Sequence, residues 1–237
     1  MILNRKTYMK TKTLKLGEAS WIIGNILCAL GNCLVSKSAF GLSAIIAPAF
    51  IIHEKLDFLT IGFCEYIIQG ILLTLCCLII GKFKPKFIAT ICNIIFYGAA
   101  FDTINALLGF LQPTDIFSRI VLAIIGTVVT AFAVALMFRT YIPPSIYEIF
   151  VKEVAEAKGF DIVKTKLVFD ASMLGLSFVL MFALLGEFRF DFIGILTVIS
   201  AFANSILIAF FGKFINKHLN FEPAIPKLYN LLNPKTK

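Results

Sequence analysis

The chain has 237 residues, of which 59% are hydrophobic and 15% charged, with a mean hydropathy of +0.91. So little polar surface cannot cover a water-soluble globule of this length, and composition places the chain in a bilayer. A net charge of +8 in a soluble protein would suggest nucleic acid, but here Lys and Arg crowd the connections between apolar runs. They are read as setting membrane orientation, and no nucleic-acid partner is expected.

Six runs reach the ~20 residues that cross ~30 Å of hydrocarbon at ~1.5 Å per residue. They lie at about 19–40, 58–80, 87–110, 117–140, 163–185 and 191–212. Residues 1–18, with Arg5, Lys6, Lys10, Lys12 and Lys15, precede the first run. That run is too long for a cleaved signal and is followed by five more, so it is read as a retained anchor. It carries Asn25 and Asn32. The segment from Gly41 to Ile52 is apolar but too short to cross, which predicts a broken, re-entrant or interfacial helix behind Ser43 as its cap.

The second run carries Glu65, with Gln69 one turn deeper on the same face. A basic turn (Lys82, Lys84, Lys86) leads to the third run, which carries Asn93, Asp102 and Asn105. After the fourth run a second break begins at Pro143-Pro144-Ser145 and continues through Glu148 to Gly159. Its tail (Lys152, Glu153, Glu156, Lys158) reads as water-facing, and Ser145 is again the expected cap. Asp170 is the eighth residue of the fifth run and is read as lying near the midplane, and the sixth carries Asn204 and Ser205. Carboxylates at such depth cost on the order of 2.5 to 3.5 kcal/mol, so each needs a partner or a role. Trp21, Tyr8, Tyr141, Tyr147 and Tyr229 are expected at membrane interfaces.

The two breaks sit at matching places. Sliding residues 24–58 forward by 102 aligns Gly24 with Gly126, Ala29 with Ala131, Lys37 with Arg139, Ser38 with Thr140, Ser43 with Ser145 and Phe58 with Phe160. A three-residue gap then aligns Gly81 with Gly186, Phe83 with Phe188, Lys84 with Arg189, Phe87 with Phe192 and Ile88 with Ile193. Each copy holds three runs, an odd number, so the second must enter the membrane from the opposite side. The expected fold is therefore an all-α polytopic membrane protein of six transmembrane helices. They form two inverted three-helix repeats (19–112 and 113–215), each with a short broken helix, followed by a tail at 216–237. The basic connections put both termini in the cytoplasm.

Six cysteines (Cys28, Cys33, Cys64, Cys76, Cys77, Cys92) fall within the runs without metal-ligand spacing, so neither metal nor disulfide is expected. Glycine-loop, H-E-x-x-H and G-x-S-x-G motifs are absent and the histidines, His53 and His218, lie in connections, so the chain reads as a non-enzyme without a cofactor.

Gly41-Leu42-Ser43, Pro144-Ser145-Ile146-Tyr147-Glu148 and Thr165-Lys166-Leu167-Val168-Phe169-Asp170 together resemble the YczE/YyaS/YitT family of bacterial integral membrane proteins. That family shows a Pro-Tyr-Asp-like turn before a short helix and an Ile/Leu-Asp pair in the next span. Here Glu148 stands where the Asp would be, and the turn is spaced differently. The resemblance covers about residues 20–212 and implies a six-span protein of the bacterial cytoplasmic membrane.

The functional expectation is a secondary transporter that moves a small solute by alternating access. Its site would lie between the halves and be built from Asp170, Glu65, Gln69, Ser43, Ser145, Glu148, Asn93, Asp102 and Asn204. The carboxylates would take a proton, a cation or a positively charged group. The alternative is a non-transporting module that binds and regulates a partner protein through the 150–160 stretch and the 218–237 tail. Membrane lipids are the other expected partners, and oligomeric state is open.

Overall fold

The computed structural model describes residues 12–232. Helices occupy all six expected runs: α1 (Gly17–Ser38), α3 (Ile61–Ile80), α4 (Lys86–Leu107), α5 (Ile116–Met137), α7 (Ile162–Leu180) and α8 (Ile195–His218). Five are long and apolar enough to cross a membrane, α7 being continued to Leu185 by a π-helical turn, so the protein is a multi-pass membrane protein by length and composition. Two short helices fill the breaks, α2 (Ala47–Lys55) and α6 (Ile146–Lys158), and α9 (Pro226–Leu232) lies in the tail. The boundaries follow local chemistry. Thr60, Asp115 and Asp161 accept from backbone N–H groups in the first turns of α3, α5 and α7. Gly81 and Gly186, aligned by the repeat, close α3 and the π turn with φ of +69° and +75°.

One element was not expected. Residues Lys12–Leu14 (β1) and Leu219–Phe221 (β2) pair as a parallel two-stranded ribbon. It brings the start of α1 and the end of α8 to one end of the bundle, called here the ribbon end.

α1 and α5 are the most intimate pair and run antiparallel. A Cβ on Gly31 would lie 2.7 Å from the Thr130 nitrogen and 2.8 Å from the Gly126 oxygen. Small residues of this kind let membrane helices approach to backbone contact. The contacts exchange under the 102-residue register. Gly31 against Gly126 becomes Gly24 against Ala133, and Gly126 against Val35 becomes Gly24 against Met137; both approaches are present. At the helix ends, Arg119 donates to the Ser38 and Ala39 carbonyls, and the exchanged position places Gly17 against Tyr141.

The sequence halves are not the packing units, contrary to expectation. α1, α4, α5 and α8 associate around the α1/α5 pair, while α2, α3, α6 and α7 form a second group, so each group mixes both halves. α3 packs on α4 across the two groups, whereas α7 and α8 do not pack substantially on one another among the described residues. The outer surface is apolar, with Ile67, Ile71, Leu75 and Leu78 exposed along α3 and Ile120, Ile124 and Val128 along α5. Asn25, Asn32, Glu65, Gln69 and Asn93 are buried. That inside-out distribution suits a hydrocarbon surround.

Two further expectations change. Trp21 and Tyr147 are buried inside the bundle rather than exposed on its surface. Trp21 stacks on Phe96 and its indole N–H donates to the Pro143 carbonyl at 3.0 Å. Tyr147 donates to a carboxylate described below. Each ring's polar tip has found an internal acceptor, which removes the reason to seek water. Tyr8 lies outside the described residues.

Candidate functional site

Between the two helix groups lies a cavity of about 160 Å³. One wall comes from α1, α4, α5 and α8, with Asn25, Cys28, Asn93, Tyr97, Thr130 and Asn204. The facing wall comes from the second group through Gln69, Tyr147, Lys166 and Asp170. Both breaks reach it from opposite ends of the bundle, the first with Ser43 to Ile46 and the second with Pro144, Ser145 and Glu148. Neither serine caps through its side chain. Ser145 occupies the N-cap of α6 without a capping bond, and Ile46 caps α2 while the Ser43 carbonyl accepts from Ile46 and Ala47. Both serines line the cavity.

Glu65 sits just behind this wall, 1% exposed. One of its carboxylate oxygens accepts from Gln69 Nε2 at 2.7 Å and from the Tyr147 hydroxyl at 2.8 Å. The bond to Gln69 fixes that amide with its Nε2 on Glu65, leaving Oε1 to the cavity side. Asp170 has the partner that its depth called for. Its Oδ1 lies 2.9 Å from Lys166 Nζ, one turn earlier on α7, and Glu148 lies 3.7 Å from the same ammonium. These three side chains are each about a third exposed, so the site's charge is one lysine shared by two acids at the cavity edge.

Asn93 donates to Asn25 Oδ1 at 2.7 Å, and Asn32 donates to the Tyr97 hydroxyl at 2.8 Å. These bonds tie α1 to α4. Three shielded oxygens on the cavity wall have no hydrogen-bond partner: Gln69 Oε1, Thr130 Oγ1 and Asn204 Oδ1. A shielded acceptor left bare costs about 1 to 3 kcal/mol. The Gln69 and Asn204 amide oxygens can each accept a hydrogen bond, and the Thr130 hydroxyl, set against Gly31, can accept or donate one.

Of the nine residues the sequence singled out, Asp170, Gln69, Ser43, Ser145, Glu148, Asn93 and Asn204 line this one cavity, and Glu65 supports it from behind. Asp102 does not join them. It accepts from the Gly62 N–H at 2.7 Å and so anchors the first turn of α3 against α4. Sequence reasoning missed Lys166, read as part of a topology-setting cluster, although its i, i+4 spacing from Asp170 was visible. It also missed Tyr97 and Thr130, which nothing in the pattern marks. Among the described residues no group of three or more His, Cys, Asp or Glu is placed to hold a metal ion.

The chain matches, over residues 17–213, a family described as Family of unknown function (DUF6198). It belongs to that family. The DUF6198 match begins at the first residue of α1 and reaches the last turns of α8, taking in every element of the cavity wall. It does not carry the YczE/YyaS/YitT name. No curated protein and no solved structure matches the chain.

Proposed function

We propose that this protein is a secondary transporter that carries a small solute across the bacterial cytoplasmic membrane by alternating access. The observation that carries the reading is the cavity between two helix groups, a mostly apolar space into which several polar residues are set, reached by a chain break from each end. A six-helix inverted repeat is supported by the exchange of α1/α5 contacts under the 102-residue register. Irregular backbone inside a membrane protein is tolerated where it is buried or lines a watery space, which is where both breaks sit. The bare acceptors and the two acids around Lys166 suit a solute that is cationic or rich in hydrogen-bond donors, with a proton or cation as coupling ion. Lys82, Lys84, Lys86, Lys152, Lys158, Lys213 and Lys217 gather at the ribbon end, which supports both termini being cytoplasmic. The YczE/YyaS/YitT resemblance fits the same architecture.

The test is solute flux in proteoliposomes. Asp170→Asn is expected to abolish flux while the protein stays monodisperse in detergent; full flux in that variant removes Asp170 from the mechanism. The regulatory alternative predicts no flux for any solute and a co-purifying partner. Against tail docking, the tail is engaged with its own bundle: Leu232 is buried beside Trp21, and the Ala224 and Ile225 N–H groups donate to Glu18.

A further inference from the structure

Outside the cavity, two clusters of charge stand at opposite ends of the bundle, and the sequence alignment pairs a base of one with a base of the other. At the ribbon end, Glu153 on α6 is fully buried and is held by Lys84, from the turn between α3 and α4, and by Lys86, the first residue of α4. At the opposite end, Arg189 in the turn between α7 and α8 grips Asp191 through two bonds of 2.9 and 2.7 Å and reaches Glu54 on α2 at 3.1 Å. Lys84 and Arg189 are mates in the sequence alignment. Glu153 falls less than one helical turn short of Glu156, the position that the 102-residue register assigns to Glu54. Each cluster therefore joins a base on a turn leading from one helix group to the other with an acid on the short helix of the other half. The short helices α2 and α6 directly continue the two breaks that reach the cavity.

We propose that these clusters are matched latches that shut the two ends of the cavity, and that either end opens by releasing its own latch while the other holds. This deepens the transport reading and rests on it. The geometry has the features such a device needs. Each latch bridges a segment that must move relative to the cavity wall. The two lie at opposite ends. Neither contributes a side chain to the cavity itself, so charge can be removed without touching the solute's contacts. The latches differ in strength: Glu153 is sealed from solvent between two lysines, whereas Arg189 and Glu54 are 34% and 43% exposed. At that weaker end the backbone adds closure, with Leu42 N–H donating to the Phe192 carbonyl and Leu196 N–H to that of Phe40, each at 2.9 Å.

Cys28 on the cavity wall supplies a reporter that needs no known solute. With Cys33, Cys64, Cys76, Cys77 and Cys92 replaced by alanine, a membrane-impermeant, positively charged methanethiosulfonate is applied to intact cells or to inverted vesicles, and the rate of Cys28 modification is measured. Glu153→Gln is expected to raise that rate at least about fivefold from the ribbon side alone, and Arg189→Gln from the opposite side alone, the change that about 1 kcal/mol of released closure produces. Size-exclusion profiles show whether Glu153→Gln still folds; the exposed Arg189→Gln keeps the test decisive if it does not. Unchanged rates in folded variants, or rises from both sides together, overturn the latches. Sided rises without flux for any solute leave the latches standing and remove the transport reading instead.

Discussion

Glu65 shows how little freedom a buried carboxylate has in this fold. It supplies the acceptor for both Gln69 and Tyr147, joining α3 to α6 behind the cavity. Glu65→Gln keeps an amide oxygen that can accept both bonds, so it is expected to fold with a small change in melting temperature. Glu65→Leu strips Gln69 and Tyr147 of their acceptor at about 1 to 3 kcal/mol each. A thermal melt in detergent should therefore fall steeply for Leu and hardly for Gln; equal losses would mean that the charge, not the acceptor, is what matters. Much of this was legible in sequence, because Glu65 and Gln69 sit one turn apart. Tyr147 was not, since its helix is short and its ring type is equally at home at an interface. Asp170 was visible as a deep acid, but its depth concealed that Lys166 answers it from the preceding turn.

Among the elements, the α1/α5 crossing is the tightest constraint. Gly31→Val would drive its Cβ toward the Thr130 backbone, and neither chain can yield locally. Overpacking costs about 1 to 3 kcal/mol even where cores adapt, so loss of the folded, monodisperse protein is expected. Gly70, mid-way along α3, has open space where a side-chain methyl would stand, with nothing within 4 Å. Gly70→Ala should be neutral or gain up to about 1 kcal/mol through helix propensity, read as an unchanged or raised melting temperature. α6 gives a pH prediction. Burial raises the Glu153 carboxyl, but hydrogen bonds to Lys84 and Lys86 outweigh it and hold it below its ordinary value. A depressed carboxylate stabilises fully above the range where free glutamate titrates, and that stabilisation is lost as pH falls through the depressed value. Melting temperature should drop on acidification below pH ~4, and Glu153→Gln, less stable at neutral pH, should lose that slope. The breaks and their apolar punctuation were readable from sequence. The interleaving of halves was not, because which helix packs on which depends on small residues such as Gly31 and Gly126 whose partners are a hundred positions away.

For the molecule as a whole, the ribbon fixes both ends of the described chain on one side. Impermeant labelling of single cysteines placed at Lys15 and Lys227 should therefore report the same side of the membrane, and the opposite side for one placed at Asp115. Labelling of Lys15 and Lys227 positions from different sides would mean that one of the long helices does not cross. The outline of six runs, two breaks and a polar interior came from composition and period alone, since hydropathy registers the solvent directly. The partition into two groups became visible only when contacts could be traced.

One inequality between the two halves has a thermodynamic consequence under the proposed cycle. If the exchange of halves were complete, the form open at one face would be the other's image, and a substrate-free protein would divide its time evenly between them. The ion pairs at the two ends are chemically unequal, Glu153 being sealed between two lysines while Arg189 and Glu54 are 34% and 43% exposed, so that degeneracy is lifted. Under the proposed alternating-access cycle, an unloaded population should favour one facing, and a solute gradient would work against that bias in one direction and with it in the other.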